Sequence, residues 1–349
     1  MKLKVKISFI IIIIFLIISY KINPILAPIG VAVATIFQYI PYIWAIKNTG
    51  YKHRFFVNYK DENIKKLLIL ALPIIFGVAV NQINQLIDKN LASFISVRGI
   101  SVLSYSVKLN EFVWGILVVS IVTSIFPTLS KLAIESRQKF KVQIAKTLST
   151  IIYLVTPACV GILIFSKEIV TLIFKRGKFD ENDVILVSGV LFYYAIGLIG
   201  LGIRDVLSNA FYALKMTRIP LINSVEMVVL NVITSIILSR FMGLNGLALG
   251  SSIATIFGAI NLYFKLEKKI GKIKTKGIIN NGKKVLISVL AMAIVSRLIF
   301  IALNIKLSSN LSFIIALLFA GLTYAIVSVL LRTRQALDIL KVILKKLKI

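Results

Sequence analysis

The amino-acid sequence predicts an all-α polytopic membrane protein with about ten transmembrane helices. Of its 349 residues, 58% are hydrophobic and only 16% are charged, whereas a soluble domain is about 45–50% apolar. The mean hydropathy is +0.93. The apolar residues also fall into runs close to the roughly 20 residues with which a helix crosses a bilayer. Composition and run length therefore exclude a soluble globular domain.

Ten apolar runs qualify as spans. They cover residues 7–20, 25–46, 67–86, 102–129, 148–165, 184–207, 219–238, 244–264, 285–305 and 311–331. The first run follows Lys2, Lys4 and Lys6 and so also has features of a signal peptide. Because no A-x-A cleavage site follows it, and residues 21–24 have the composition of a tight turn, we interpret it as a span.

The basic residues alternate with the spans. If both termini are cytoplasmic, the inner segments hold 30 of the 42 Lys and Arg residues and the outer segments hold nine. The three within spans are Lys108, Arg204 and Arg297. Positive charge concentrates on the cytoplasmic side of membrane proteins, so this distribution predicts a multi-pass protein whose inner loops lie against anionic membrane lipids. Because the net charge of +29 forms no single patch, the sequence does not indicate a nucleic-acid partner.

Cysteine and histidine are too few for a Cys-rich metal site, a zinc site or a His-based catalytic pair. Cys159 is the only cysteine, which excludes an internal disulfide and a Cys-rich metal site. His53 is the only histidine, so a zinc site or a His-based catalytic pair has no further residues to draw on. We predict no catalytic residues.

The fourth apolar run carries charge where a bilayer makes charge expensive. Ser101, Ser104, Lys108, Glu111 and Gly115 recur at steps of three and four and so share one helical face. A charge at mid-bilayer depth costs roughly 2.5–3.5 kcal/mol on insertion scales, and such residues normally face a bundle or a wet cavity. Two interpretations remain. Either Lys108 and Glu111 neutralise each other at i, i+3, or the face is a cationic cavity wall for an anionic substrate.

Two stretches resemble one another at a constant offset of 220 residues. Residues 30–37 read GVAVATIF and residues 250–257 read GSSIATIF. Internal repeats are typical of transporter folds, which bind substrate between the repeats. If the two repeat units end near residues 47 and 271, the second unit holds six spans and the first holds two.

Several short motifs follow one another along most of the chain. They are QINQLID at 82–88 with LAS at 91–93, YSVKL at 105–109, IFPTLS at 125–130, RGKF at 176–179, RDVLS at 204–208, AFYALK at 210–215 with Thr217 and Pro220, and GLAL at 246–249. In the order and spacing of these motifs, residues 23–331 resemble the lipid II flippase family (MurJ/MviN). That family belongs to the multidrug/oligosaccharidyl-lipid/polysaccharide exporter superfamily.

The resemblance implies a domain organisation, because the family has fourteen spans arranged as two six-helix lobes and two further helices. The ten spans match the last ten, so the family's first four spans, with several pyrophosphate-binding arginines, have no counterpart here. The implied segments are 1–50 (last two spans of the N-terminal lobe), 51–66 (basic cytoplasmic linker), 67–271 (complete C-terminal lobe), 272–284 (basic linker), 285–331 (two extra spans) and 332–349 (basic cytoplasmic tail).

The resemblance also implies a function. We expect a transporter of the bacterial cytoplasmic membrane that flips lipid II, an undecaprenyl-pyrophosphate-linked sugar precursor of peptidoglycan, by alternating access. Lys108 stands where the family usually has arginine, and Ser101 matches a cavity position. Ser104 and Glu111 share their helical face.

Three alternatives to this function remain. The chain is an inactive fragment or a half-transporter that needs a partner chain, or it flips another undecaprenyl-pyrophosphate oligosaccharide. An enzyme acting on the same lipid is disfavoured, because the only acidic cluster, at residues 180–183, is predicted on the outer side, where nucleotide sugars are absent.

Some family members bind a sodium ion within the second lobe. The matching positions are Asp88, Asn231, Ser235, Leu247 through its carbonyl, and Ser251. Asn231 and Ser235 share one helical face, and oxygen ligands suit a hard cation, but Ser235 stands where the sodium-binding members have a carboxylate. Alternatively, Asn231 and Ser251 only hydrogen-bond between helices. No other cofactor is expected.

Two further groups of charges are expected to be structural. Arg204 and Asp205 are predicted to pair against the cytoplasmic loops. In the RGKF loop, Arg176 and Lys178 are predicted to form salt bridges with the acidic cluster at 180–183.

Overall fold

The computed structural model describes residues 2–23, 25–37, 39–40, 46 and 61–346. The chain divides into two compact units, Met1–Lys65 and Lys66–Ile349. The end of the second predicted span and most of the predicted linker at 51–66 lie outside the described residues. Within the described ranges all regular structure is helical, which confirms the predicted fold class.

The first unit contains two packed helices, α1 (Lys2–Lys21) and α2 (Leu26–Phe37). The side chain of Asn23 closes the turn between them by accepting a hydrogen bond from the backbone N–H of Ile25 at 2.9 Å. Gly30 lies against Phe15 so closely that a β-carbon would overlap the ring. The apolar stretches Ile10–Tyr20 and Leu26–Phe37 are shorter than a full span.

The rest of the described chain forms long helices. They are α3 (Glu62–Ile95), α4 (Gly99–Trp114), a π-helical turn (Gly115–Val119), α5 (Ser120–Glu135), α6 (Arg137–Phe174), α7 (Glu181–Ala213), α8 (Arg218–Met242), α9 (Leu244–Ile270), α10 (Lys276–Asn304), α11 (Ser309–Leu330) and α12 (Arg334–Lys346). α4, the π turn and α5 form one continuous rod. Among the described residues, eight stretches are long and apolar enough to cross a membrane. They correspond to the last eight predicted spans.

Helix α7 is central to the second unit. It packs against α4, α5, α6 and α9, and α9 packs in turn on α8. The contact with α9 is close because Gly197 has no side chain. Its backbone N–H donates to Ser252 Oγ at 3.1 Å, and that hydroxyl donates to the carbonyl of Tyr193 at 2.6 Å. Small residues permit such close packing within a membrane, where van der Waals contact drives helix association.

The last two spans, α10 and α11, pack on each other and on α6. The Tyr324 hydroxyl donates to the carbonyl of Tyr153 at 2.6 Å, and the Tyr153 hydroxyl lies 3.2 Å from Ser328 Oγ. On α10, Arg297 forms an ion pair with Glu168 of α6 at 2.9 Å. This charge within a span is therefore neutralised locally.

Candidate functional site

A polar cavity of about 410 Å³ lies between α3, α4, α7, α8 and α9 of the second unit. Each of these helices contributes polar side chains to it. They are Asn81, Asn84 and Gln85 from α3, Asn110, Glu111 and Trp114 from α4, Arg204 and Asp205 from α7, Asn231 from α8, and Ser251 and Thr255 from α9. Polar groups inside a membrane-spanning bundle are costly unless they face one another or water, so this cavity is the candidate functional site.

Of the four side chains predicted to contact substrate, only Glu111 lines this cavity. Ser101 lines a separate pocket of about 640 Å³ beside the RGKF loop. The Ser104 hydroxyl donates to the carbonyl of Ile100 at 2.7 Å. Lys108 is exposed on the second unit. The predicted stripe therefore shares a helix face, but its members do not share one pocket.

Lys108 and Glu111 do not neutralise each other. No ion pair between described residues includes either side chain. Within the described part of the chain, Lys108 is thus an unpaired cation on the surface of a membrane-spanning rod.

Arg204 and Asp205 line the cavity and bind membrane helices, so the expected pairing against the loops is wrong. Buried Arg204 donates through Nη2 to Ser224 Oγ at 2.7 Å and through Nε to Asn223 Oδ1 at 3.3 Å. Asp205 Oδ2 accepts from Trp114 Nε1 at 2.7 Å. Consecutive residues on a helix do not face each other, which is why the two side chains reach different neighbours. In the sequence, the two adjacent charges within an apolar run are the signal that this position lines a cavity.

The structure brings four of the five predicted sodium ligands together. Ser251 Oγ donates to Asp88 Oδ2 at 3.2 Å and accepts from Asn231 Nδ2 at 2.7 Å. Ser235 Oγ donates to Asn231 Oδ1 at 3.3 Å. Leu247, the fifth predicted ligand, is fully buried one turn before Ser251 on α9.

Asn84 adds an oxygen that the sequence analysis missed. It lies one turn before Asp88 on α3, and its Nδ2 is 3.5 Å from Asp88 Oδ2. The Oδ1 atoms of both residues are buried and have no hydrogen-bond partner among the described residues. Two unpartnered oxygens on residues one helical turn apart fit a hard cation or water. The described chain holds no cluster of three or more His, Cys, Asp or Glu residues that could hold a metal ion, so a cation here would rely on one carboxylate with amide and hydroxyl oxygens.

The acidic cluster is paired, but its partners differ from those predicted. Arg98, which precedes α4, contacts Asp183 at 2.8 Å and Asp180 at 3.3 Å. Glu181 pairs with Lys167 at 3.0 Å and also with Lys175. Arg176 and Lys178 take part in no ion pair within the described chain, so the prediction for them was wrong.

Asp180 is the N-cap of α7. Its side chain accepts a hydrogen bond from the backbone N–H of Asp183 at 2.8 Å. The Asp183 side chain accepts in turn from the backbone N–H of Asp180 at 3.2 Å. This backbone hydrogen bond, with the Arg98 guanidinium nearby, holds the pKa of the Asp180 carboxyl below its usual value. The capping box fixes the start of α7, which carries Arg204 and Asp205 further along.

Membrane-spanning helices around a polar cavity with buried charges are typical of membrane transporters. The chain belongs to the lipid II flippase MurJ family, whose family model matches residues 3–319. This confirms the resemblance seen in the sequence.

Individual relatives cover part of the chain. It is 32% identical over 206 residues to the probable lipid II flippase MurJ of Vibrio cholerae, covering 59% of this chain and 39% of that protein. To the corresponding Thermotoga maritima protein it is 30% identical over 268 residues, covering 76% and 52%. The solved structure of a lipid II flippase MurJ in an inward closed conformation matches with a TM-score of 0.74 at 27% identity, covering 95% and 67%. The chain spans about half the length of the curated relatives it matches.

Proposed function

We propose that this chain takes part in moving lipid II, an undecaprenyl-pyrophosphate-linked precursor of peptidoglycan, across the bacterial cytoplasmic membrane. Family membership and the names of the relatives support this substrate. Under the proposal both termini are cytoplasmic, because 30 of the 42 basic residues then lie on that side. The activity is transport by alternating access and involves no chemical conversion of the lipid.

The observation that carries the proposal is the unpaired Lys108. An ammonium group in a membrane-spanning segment is costly unless it meets water or an anion. Lys108 lies within the span Gly99–Glu135, is exposed on the second unit, and has no ionic partner in the described chain. It is therefore free to pair with the pyrophosphate of the headgroup. Ser104 lies one turn before Lys108, but its hydroxyl donates to the carbonyl of Ile100, and Ser101 lines a separate pocket, so the charge of Lys108 is the main contribution of this face.

Arg204 is less suited to bind the headgroup. Its guanidinium already donates to Ser224 and Asn223, and Asp205 and Glu111 make the neighbouring cavity acidic. We assign Arg204 and Asp205 the role of holding α4, α7 and α8 in their relative positions. Glu111 lies at the border between this cavity and the Lys108 face.

The π-helical turn Gly115–Val119 provides a point of movement in the α4–α5 rod. Such turns interrupt the regular hydrogen-bond ladder and are frequent at functional sites. A β-carbon at Gly115 would meet no described atom within 4 Å, so there is space beside the turn. We propose that α4, with Lys108, changes its orientation relative to α5 at this turn between the two states that alternating access requires.

The headgroup must be enclosed while it crosses the hydrocarbon, and the second unit supplies one wall. We propose that further spans, equivalent to the unmatched part of the relatives, complete the enclosure from the same polypeptide or from a partner chain. The lipid tail remains in the membrane throughout.

We also propose that Asp88 and its neighbours bind a sodium ion. The unpartnered Oδ1 atoms of Asp88 and Asn84, with Ser251 adjacent, support the proposal because oxygen ligands suit a hard cation. The Asn231 oxygen accepts from Ser235, whereas the Oδ1 atoms of Asp88 and Asn84 accept no hydrogen bond within the described chain.

The test of transport is complementation in bacteria depleted of their own flippase, with an assay for lipid II on the outer membrane face. The chain is expressed alone and together with the four N-terminal spans of the Thermotoga maritima relative. We expect Lys108→Ala to abolish export in whichever arm is active, and Lys108→Arg to retain it, because charge is kept and a bidentate contact to phosphate is gained.

Lys131→Ala is the matched control, since Lys131 lies on the same rod and is exposed, but pairs with Glu135. It should leave export unchanged. Full export by Lys108→Ala, with normal amounts of protein in the membrane, would show that Lys108 does not contact the substrate. Export by neither arm of the wild-type chain would contradict the proposed function itself.

A further inference from the structure

A second pocket of about 560 Å³ lies at one end of the bundle, where four parts of the chain meet. These parts are the start of α6, the segment before α10, the start of α10, and the turn after α11 together with the start of α12. Of the seventeen lining residues, all within the described chain, seven are basic and none is acidic. The basic residues are Lys141, Lys146, Lys272, Lys274, Lys284, Arg332 and Arg334.

The pocket lies at the level where three helices pass from basic to apolar sequence. The apolar runs begin after Lys146 on α6 and after Lys284 on α10, and the run of α11 ends before Arg332. Apolar runs of this length fill the hydrocarbon core, so the residues that flank them lie among lipid headgroups. The lining also includes Val142 and Ile278, which offer apolar contact to the first carbons of acyl chains.

A buried hydrogen-bond network fixes the floor of the pocket. Asn281 Nδ2 donates to Gln335 Oε1 at 2.8 Å and to Ser149 Oγ at 3.0 Å, and Gln335 Nε2 donates to the same hydroxyl at 3.0 Å. The backbone N–H of Arg334 donates to Asn281 Oδ1 at 3.3 Å. These bonds join α6, α10 and α12, so they fix the relative positions of the helices that carry the cations around the pocket.

Arg332 occupies a backbone position that favours glycine. Its φ is +51°, and the backbone N–H groups of Arg332 and Thr333 donate to the carbonyls of Val329 and Ser328, each at 2.9 Å. This is a Schellman motif, in which glycine is the usual residue at the left-handed position. The Lys284 ammonium donates to the Arg332 carbonyl at 3.2 Å. An arginine here carries strain that glycine would avoid, which indicates a role for its side chain.

The seven cations have no counter-charge in the described chain. None of them takes part in an ion pair, and like charges grouped around one pocket repel each other until an anion binds. The amphipathic helix α12 adjoins the pocket, and such a helix lies in the plane of the membrane interface.

We propose that this pocket binds the phosphate headgroup of an anionic phospholipid, such as phosphatidylglycerol. The cluster of cations supplies charge, the floor supplies amide and hydroxyl groups, and the level in the bilayer favours a lipid over a soluble phosphate. Binding joins α12 to the ends of α6, α10 and α11. The site is separate from the polar cavity between α3 and α9 and does not depend on the transported substrate.

The test uses the purified full chain in neutral detergent, titrated with phosphatidylglycerol, phosphatidylcholine or inorganic phosphate. Bound lipid is counted by native mass spectrometry, and thermal unfolding is followed in parallel. We expect phosphatidylglycerol to remain bound and to raise the unfolding temperature, while phosphatidylcholine and inorganic phosphate at equal concentration do neither.

The informative variants are Arg332→Gly and Lys284→Gln, with Lys283→Gln as the control. Lys283 adjoins Lys284 but is exposed and does not line the pocket. Each pocket variant should weaken phosphatidylglycerol binding roughly fivefold, the usual worth of one cation near an anionic lipid. Arg332→Gly should unfold no earlier than the wild type without lipid, because it relaxes the backbone.

Three results would overturn the proposal. One is equal retention of phosphatidylglycerol and phosphatidylcholine. Another is a loss of binding in Lys283→Gln as large as in Lys284→Gln, which would indicate diffuse surface attraction. The third is inorganic phosphate binding as tightly as the lipid, which would make this a soluble-anion site.

Discussion

The close packing of α7 on α9 predicts that Gly197→Ala destabilises the second unit. A β-carbon at Gly197 would lie 2.7 Å from Ser252 Oγ and 2.8 Å from Ser252 Cα. Both distances are shorter than real β-carbon contacts, and Ser252 Cα belongs to the backbone of a packed helix, so the two helices must move apart. Overpacking of this kind costs about 1–3 kcal/mol. The shift also weakens the hydrogen bond from the Gly197 N–H to Ser252 Oγ.

Gly161→Ala is the matched control for this prediction. Gly161 lies within α6, and a β-carbon there would meet no described atom within 4 Å. Alanine is better than glycine in a helix interior by about 1 kcal/mol, so this variant should be as stable as the wild type or more so. Because both substitutions gain the same helix propensity, the two alanine variants should differ by the overpacking cost alone, about 1–3 kcal/mol.

The assay is reversible unfolding of each purified variant in mixed detergent micelles, followed by circular dichroism. Adding Ser252→Ala to Gly197→Ala should restore only part of the loss, because it removes the hydroxyl but leaves Ser252 Cα in place. Equal stability of Gly197→Ala and Gly161→Ala, or complete restoration by Ser252→Ala, would refute the steric argument.

Three further predictions concern topology, pH and sodium. A cysteine at Lys141 should be shielded from a membrane-impermeant thiol reagent in intact cells and one at Asp180 labelled, whereas the reverse would invert the proposed orientation. The lowered pKa of Asp180 means that its carboxylate stabilises the fold above the ordinary carboxyl value of 3.8, and that this contribution is lost as pH falls through the folded-state pKa. Asp180→Asn should therefore lower the unfolding temperature more at pH 7 than at pH 3, and an equal loss at both would exclude a charge effect. Sodium chloride should raise the unfolding temperature more than choline chloride in the wild type but not in Asp88→Asn, and an equal response of the wild type to both salts would contradict the proposed sodium site.

The positions of the spans could be predicted from the sequence alone because a bilayer leaves the backbone few choices. Each apolar segment must satisfy its own backbone hydrogen bonds, so a run of about 20 apolar residues becomes a helix whatever its neighbours are. The last eight predicted spans are confirmed, although the helices extend beyond the apolar runs, as in Ile64–Ile95 for the span predicted at 67–86. The order of the motifs along the chain identified the family without any knowledge of contacts between side chains.

The direction of each side chain depended on tertiary structure. Ser101 and Glu111 differ by about 80° around the helix axis and by about 15 Å along it, and the structure places them in different pockets. The sequence predicted the polar stripe as one face. The sequence did not reveal that Glu111 lines a cavity together with residues of α7 and α8, whereas Lys108 on the same helix is exposed.

The partners of the charges were decided only by the folded chain. Arg98 and Asp183 are 85 residues apart, and Asp88 and Ser251 are 163 apart. Nothing local links such pairs, because each side chain is brought to its partner by the packing of whole helices through contacts such as Gly197 with Ser252. The basic pocket likewise combines residues from three distant parts of the chain. In the sequence these look like ordinary positive-inside residues, and only the packing of α6, α10 and α11 places them around one cavity.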